Sequence, residues 1–187
     1  GQHVDMSLLD VTVASMANQA MNYLIAEKVP TTMGNAHPNI VPYEAYKAAD
    51  HYIILAVGND AQFRRFCEVA GRVDLAEDER YATNRNRVGN RMDLGPILNE
   101  IIVAKPRIFW LEELEKVGVP CGPINNLDQV FEDPHIQSRG TRREVDHLEA
   151  GKLPTVANPI CLSESSIEYD RAPPALGQHG QRAGPRG

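Results

Sequence analysis

Long apolar runs are missing from these 187 residues. None approaches the roughly 18 consecutive apolar positions of a membrane-spanning helix, so no helical span is expected. Cysteine is scarce: Cys67, Cys121 and Cys161 are widely separated and odd in number. That excludes a disulfide framework and a Cys-x-x-Cys metal knuckle, and buried free thiols in a reducing cytosol are expected. An excess of positive charge is also missing. Lys and Arg number 19 against 25 Asp and Glu, a net charge of −6, which argues against non-specific nucleic-acid binding through a basic surface. Small anionic ligands stay open, because they need only a local positive site. The first residues lack the charged and apolar regions of a signal peptide. No GxGxxG, P-loop or GxSxG motif, no internal repeat and no His pair at metal-ligand spacing is present. No dinucleotide fingerprint, phosphate cradle, nucleophile elbow or metal site is therefore announced.

What is present reads as an α/β chain. The hydrophobic share of 42% and charged share of 24% are ordinary for a globular protein, enough for one medium domain or two small ones. Residues 3–6 read as a short strand, starting abruptly after Gly1 and turning into a helix capped by Ser7, with Asp10 at the capping-box position. Leu8, Val11, Ala14, Met21 and Ile25 recur at helical spacing over residues 7–28. Strand then helix is half of a βαβ unit, so upstream sequence is expected to pair with it. Pro30 ends the helix, and Gly34, Pro38 and Pro42 make residues 31–42 a loop.

Residues 43–47 and 51–57 form an expected hairpin. Asn59 or Asp60 caps a helix over 62–70 that Gly71 closes. The stretch 72–84 is polar, and helices are expected over 85–103 and from Pro106 to residue 116, stopped by Gly118. Two prolines hold residues 119–124 extended. Asn126 caps a short helix, 127–131, that ends before Asp133-Pro134. Short strands are expected at 141–145 and 152–156, and the run 180–187 lacks the composition of a packed element.

Several residues invite a functional reading. His37 follows Gly34-Asn35-Ala36 in the loop, where glycine permits close backbone approach and successive N–H groups could receive a carboxylate. A plain inter-domain linker is the competing reading. Gly58-Asn59-Asp60 reads as a helix-cap turn. Of Arg85, Arg87 and Arg91, only Arg87 and Arg91 share a helix face, and a solvated surface is preferred over a phosphate patch. Cys121 has no neighbouring His or helix N-terminus to activate it and reads as a small buried residue. Asp5 and Asp10 read as capping residues rather than acid–base groups. No self-sufficient active site emerges from the residues alone.

The order of these segments resembles a known family. Gly1-Gln2-His3-Val4-Asp5-Met6-Ser7-Leu8-Leu9-Asp10 is similar to a GQ-x-(I/V)-D-x-S-(L/M)-x-D segment of the class III CoA-transferases, the formyl-CoA and carnitine CoA-transferase family. Gly34-Asn35-Ala36-His37-Pro38 with Val41-Pro42-Tyr43, the run from Ile54 to Phe63, and Tyr81-Ala82-Thr83-Asn84 with Arg87, Asn90 and Arg91 follow in the family's order. Gly118-Val119-Pro120-Cys121-Gly122-Pro123-Ile124-Asn125 is the most specific segment. Phe131-Glu132-Asp133-Pro134 and the run from Pro173 to His179 complete the series.

The resemblance implies an enzyme that moves CoA from an acyl-CoA to a free carboxylic acid through an aspartyl-CoA thioester. The family's nucleophile lies in an upstream GD-x-x-(T/S)-G motif that this chain lacks, so no catalytic residue is assigned here and this piece alone is expected to be inactive. What carries over is a CoA contact at Leu8 and a substrate-covering loop at Gly34, Asn35, Ala36 and His37. One glycine, where formyl-CoA transferase has a run, points to another acceptor acid, a dicarboxylate such as succinate. CoA is implied as substrate, with no permanently bound cofactor and no metal.

The implied architecture is α/β. A Rossmann-like large domain, built from residues 1–29 and 146–187, accompanies a smaller α/β domain over 30–145. Two subunits interlock in a cytoplasmic homodimer, with no nucleic-acid or membrane partner. The C-terminus departs from the family, whose members continue past Leu-Gly-Gln-His into a helix. An α-methylacyl-CoA racemase of the same fold and a non-catalytic fragment are the alternatives.

Overall fold

The structure, a computed structural model, describes residues 1–178. His179 and the run 180–187, read above as unpacked, lie outside the described residues. Two compact units are present, one reaching from Gly1 to Ile124 and the other starting at Asn125.

The first unit does not open on a strand. Residues 1–7 have no ladder partner among the described residues, and without an edge to pair with their backbone stays exposed and irregular. This corrects the expected strand at 3–6 and its βαβ half-unit. Helix α1, Leu8–Ser15, starts where Ser7 Oγ accepts the Asp10 N–H at 3.4 Å. The helix expected over 7–28 is broken at Ala17, which has a positive φ of 40°, and α2 is Asn18–Ala26. Side-chain hydroxyls compete with the backbone ladder just before the break: Thr12 donates to Leu8 O at 2.8 Å and Ser15 to Thr12 O at 2.7 Å. Neither helix buries a single residue.

The hydrophobic core begins with a hairpin. Strand β1, Tyr43–Lys47, pairs antiparallel with β2, Tyr52–Ala56, Tyr43 opposite Ala56 and Lys47 opposite Tyr52. Tyr46, Ile53 and Leu55 turn inward. Asn59 Oδ1 accepts the Gln62 N–H at 2.9 Å and starts α3, Asp60–Val69, which buries Phe63, Phe66 and Cys67. Gly71, at φ +67°, lets the chain leave the helix in the left-handed conformation. The polar stretch that follows contains α4, Val73–Glu77, which places Leu75 and Ala76 in the core.

The single helix expected over 85–103 is two, α5 (Asn84–Gly89) and α6 (Arg91–Val103). Asn90 separates them, and its side-chain amide donates to Asn86 O and Arg80 O. Helix α7, Arg107–Lys116, follows Pro106, and Trp110 Nε1 donates to Ile102 O at 2.9 Å across the α6–α7 corner. The extended segment after Gly118 is a strand: β3, Cys121–Pro123, joins β2 antiparallel in a sheet of order β1-β2-β3. Phe63 stacks on Phe66 and Phe66 on Trp110, in one buried cluster with Leu94, Leu98 and Leu114.

In the second unit, Asn126 and Gln129 form a reciprocal capping box on α8, Leu127–Glu132. Asp133-Pro134, expected as a stop, also starts α9, Pro134–Ser138. The Asp133 carboxylate accepts the His135 and Ile136 N–H groups, and proline fits the first turn because it has no N–H to leave unpaired. Strands β4, Arg142–His147, and β5, Gly151–Val156, form an antiparallel pair close to the expected positions. Val145 is the one buried hydrophobic residue of this unit among the described residues. Cys161 is accordingly exposed, which corrects the expectation of three buried thiols.

Candidate functional site

The loop before β1 is held in place by a dense set of hydrogen bonds. Its turn is made at Gly34, whose φ of +61° a side chain would oppose. Asn35 Oδ1 then accepts the Ala45 N–H at 2.8 Å, which fastens the loop to the hairpin. His37 N–H donates to Tyr43 O at 2.9 Å, and its ring lies parallel to the Tyr43 ring, centroids 5.2 Å apart. The imidazole Nδ1 accepts the Asn39 N–H at 3.1 Å, so the neutral ring carries its proton on Nε2. Nε2 faces the Asn18 side-chain amide at 3.3 Å, and an Nε2–H requires the amide oxygen on that side. Asn39 and Asn22 pair both ways through their amides at 3.3 and 3.2 Å, a second tie from the loop to α2.

The other side of the loop is braced by α5 and α6. Arg87 is completely buried. It donates to Val41 O at 2.6 Å, Tyr81 O at 2.9 Å and the Asp60 carboxylate at 2.9 Å, and its guanidinium stacks 4.3 Å above the Phe63 ring. Burial pulls its pKa down from the ordinary arginine value, and the bond to Asp60 opposes that pull. Asp60 Oδ1 also accepts the Asn84 N–H at 2.7 Å. Asn84 in turn donates to Asn39 O at 2.8 Å and accepts the Val41 N–H at 3.1 Å. Arg91 Nη2 donates to Pro38 O at 2.8 Å and to His37 O at 3.3 Å.

The reading of Arg87 and Arg91 as a solvated face is therefore corrected. Both turn onto loop carbonyls, and a spacing argument within one helix carries no information about a loop 46 residues upstream.

Beside this loop lies a cavity of about 780 Å³, walled by α2, the segment 28–33, the loop, β1 and α6. Ala36 and His37 line it, together with Lys28, Tyr43, Glu44 and Arg91. Tyr46 reaches it too and donates to Glu44 Oε1 at 3.0 Å. Burial first, and then the Glu44 charge, push the Tyr46 hydroxyl well above the usual phenol range, so it stays protonated at neutral pH.

Gly34 and Asn35 shape the turn but are not part of the cavity wall, and Leu8, 86% exposed on α1, lies apart from it. The N–H groups of Ala36, His37 and Asn39 are spent on Met33 O, Tyr43 O and His37 Nδ1. Those three N–H groups are therefore not available to a carboxylate in the cavity. Cys121, half-buried on β3, has its thiol pushed up to about 11 by burial, which makes it a poor nucleophile. Among the described residues no group of three or more His, Cys, Asp or Glu is placed to hold a metal.

The family model of CoA-transferase family III matches residues 1–180, which takes in the loop, the hairpin, the bracing helices and the 118–125 segment. The chain belongs to this family.

Similar family members include the succinate–glutarate CoA-transferase of Agrobacterium fabrum, 45% identical over 96% of this chain. The succinyl-CoA:glutarate CoA-transferase of Homo sapiens is 38% identical over 96%. The crystal structure of a CAIB/BAIF family protein from Brucella suis covers 97% of the chain with a TM-score of 0.77 and 43% identity. The chain spans 45%, 41% and 47% of the lengths of these three proteins.

Proposed function

We propose that the polypeptide carrying this chain transfers CoA from an acyl-CoA to a free dicarboxylic acid. The observation that carries this reading is the 45% identity, across nearly the whole chain, to a transferase named for succinate and glutarate. A related transferase from Haloarcula marismortui, 32% identical, is named for succinyl-CoA and mesaconate. The cavity fits a small anion: Lys28 and Arg91 are on its wall and the loop segment Ala36–His37 forms one side.

In the proposed chemistry a carboxylate oxygen of an aspartate, upstream of this chain, attacks the thioester carbonyl and expels the CoA thiolate, leaving a mixed anhydride. The thiolate attacks the aspartyl carbonyl, releases the donor acid and forms the aspartyl-CoA thioester. The acceptor carboxylate then attacks the aspartyl carbonyl of that thioester and expels the CoA thiolate, leaving a second mixed anhydride. The thiolate attacks its acceptor-acid carbonyl, which forms the new acyl-CoA and releases the aspartate carboxylate. Covalent catalysis divides one hard acyl transfer into easier steps. The loop over the intermediate would keep water from the anhydride.

Within this reading Gly34, Asn35, Ala36 and His37 cover the substrate, and Leu8 lies against CoA, which is a substrate rather than a resident cofactor. Residues 1–29 and 146–187 belong to a Rossmann-like large domain, and 30–145 to the small domain, in an interlocked cytoplasmic homodimer. The exposed faces of α1 and α2 are then surfaces that the rest of a full-length polypeptide would cover.

The test is to incubate the full-length polypeptide with succinyl-CoA and glutarate. Glutaryl-CoA is expected to form, and hydroxylamine is expected to trap an acyl-enzyme. Exchange of a substrate α-proton without acyl transfer would replace this reading with a racemase.

A further inference from the structure

Arg91 has a part of its guanidinium to spare. Its Nη2 is committed to the carbonyls of Pro38 and His37, but Nε and Nη1 meet no acceptor among the described residues. No carboxylate among the described residues forms an ion pair with it either. The residue is only half-exposed, and it forms part of the cavity wall. Arg87, its neighbour one turn earlier, differs on each point. That guanidinium is completely buried, has all its nitrogens bonded and is paired with Asp60. Lys28 is a second cation on the wall without an ion-pair partner among the described residues. The one carboxylate there, Glu44, already accepts the Tyr46 hydroxyl.

With Nη2 committed, Nε–H and Nη1–H are left on separate edges of the planar guanidinium, and either can donate one charge-assisted N–H bond to a carboxylate. The tether matters as much as the open N–H groups. Because the same guanidinium holds the His37 and Pro38 carbonyls, an anion on Arg91 is positioned relative to the loop and to the His37 ring.

We infer that Arg91 is the recognition residue for the non-reacting carboxylate of a dicarboxylic acid held in this cavity, with Lys28 adding charge nearby. The inference rests on the proposed transferase reading and gives that site its substrate selectivity. A dicarboxylate would present one carboxylate to the acyl transfer and the other to Arg91. A monocarboxylate of the same length would leave the guanidinium unmatched.

The experiment uses the full-length polypeptide and its Arg91→Gln and Arg91→Lys variants, with glutarate and pentanoate as acceptors. Arg91→Gln is expected to raise the KM for glutarate roughly 10- to 100-fold, the worth of one charge-assisted contact. Because Arg91→Gln also gives up the bonds to Pro38 O and His37 O, the rate with pentanoate is expected to fall too, but by less than that with glutarate, and Arg91→Lys to recover part of the glutarate KM. Equal losses on both acids would mean that Arg91 only braces the loop, and no loss on either would place the acid elsewhere. Both results overturn the inference.

A binding arm stands apart from catalysis. Glutarate at millimolar concentration is expected to raise the melting temperature of the unaltered protein, pentanoate to do so less, and neither to act on Arg91→Gln. A glutarate shift without acyl transfer would remove the transferase reading and keep the carboxylate site. Transfer with an unaltered glutarate shift in Arg91→Gln would do the reverse.

Discussion

Single residues settle more of this molecule than their sequence context announces. Arg87 is the clearest case. Three arginines within seven positions read as a charged helix surface, yet this one is buried and joins α3, α5 and the loop. Replacement by Met would keep the stack on Phe63 but leave Val41 O and Tyr81 O without donors. Asp60, whose side chain is 44% exposed, would be rehydrated at smaller cost. Arg87→Met is expected to destabilise the chain by about 3 kcal/mol, as buried polar groups stripped of partners do. The urea midpoint checks this.

The three thiols divide by burial in the same residue-level way. Cys67 is buried and pushed up to about 12, and Cys121 up to about 11, both by loss of solvent around the thiolate, while Cys161 is exposed. Titration of the native chain with a thiol reagent at pH 8 is expected to modify Cys161 quickly and the other two only on unfolding. Rapid native modification of Cys67 would contradict the packing around it. Cysteine count and spacing excluded disulfides but held no information on which thiols pack.

At the scale of elements, legibility followed the range of the interaction. Helix starts set by a side chain three residues away were readable from sequence: Ser7, Asn59 and Asn126 all cap where expected. So were the hairpin, and the turn at Gly71 that only a positive φ permits. Breaks and starts set by distant partners were not. The strand character of Cys121–Pro123 depends on β2, far back along the chain. The division at Asn90, bonded to Asn86 O and Arg80 O, and the short α4 that drops Leu75 and Ala76 into the core are local features that composition did not announce. The loop at 34–41 was singled out by its composition, but its bracing by Asn84, Arg87 and Arg91 was not, because it joins segments more than forty residues apart.

Asp50 shows the same long reach. From the β1–β2 turn, its carboxylate accepts the Arg107 N–H at 2.7 Å and its neighbour His51 N–H at 2.8 Å, so it caps α7 across 57 residues. These bonds, Arg107's foremost, hold the Asp50 carboxyl below its ordinary value of 3.8. A depressed carboxyl binds fewer protons folded than unfolded. Its contribution is therefore full above the ordinary value and is lost as pH falls through the folded one. Asp50→Asn is expected to flatten that acid limb while leaving the slope between pH 5 and 8 unchanged. Urea titrations from pH 2.5 to 7 decide it, and an unaltered acid limb would assign the loss to other groups.

For the molecule as a whole, the question is what α1 and α2 do with their apolar surface. Leu8, Leu9, Leu24 and Ile25 are each at least 70% exposed, and neither helix contributes a residue to the core. Their ties to the rest of the first unit described above are polar, through Asn18 and Asn22 to His37 and Asn39. An apolar surface of this kind is stable in water only when something covers it. In a polypeptide of the relatives' length, further sequence is available to do so; for these 187 residues alone the nearest cover is a second copy.

The isolated chain is therefore expected to self-associate in sedimentation experiments, increasingly with concentration. Leu8→Glu with Ile25→Glu is expected to weaken the association. Neither residue touches the hairpin–helix core, so the urea midpoint should move by no more than about 0.5 kcal/mol, as for surface substitutions elsewhere. A monodisperse monomer with cooperative unfolding would mean that α1 and α2 find cover within the chain, against the first unit itself, and that the exposed arrangement is not the one held in solution.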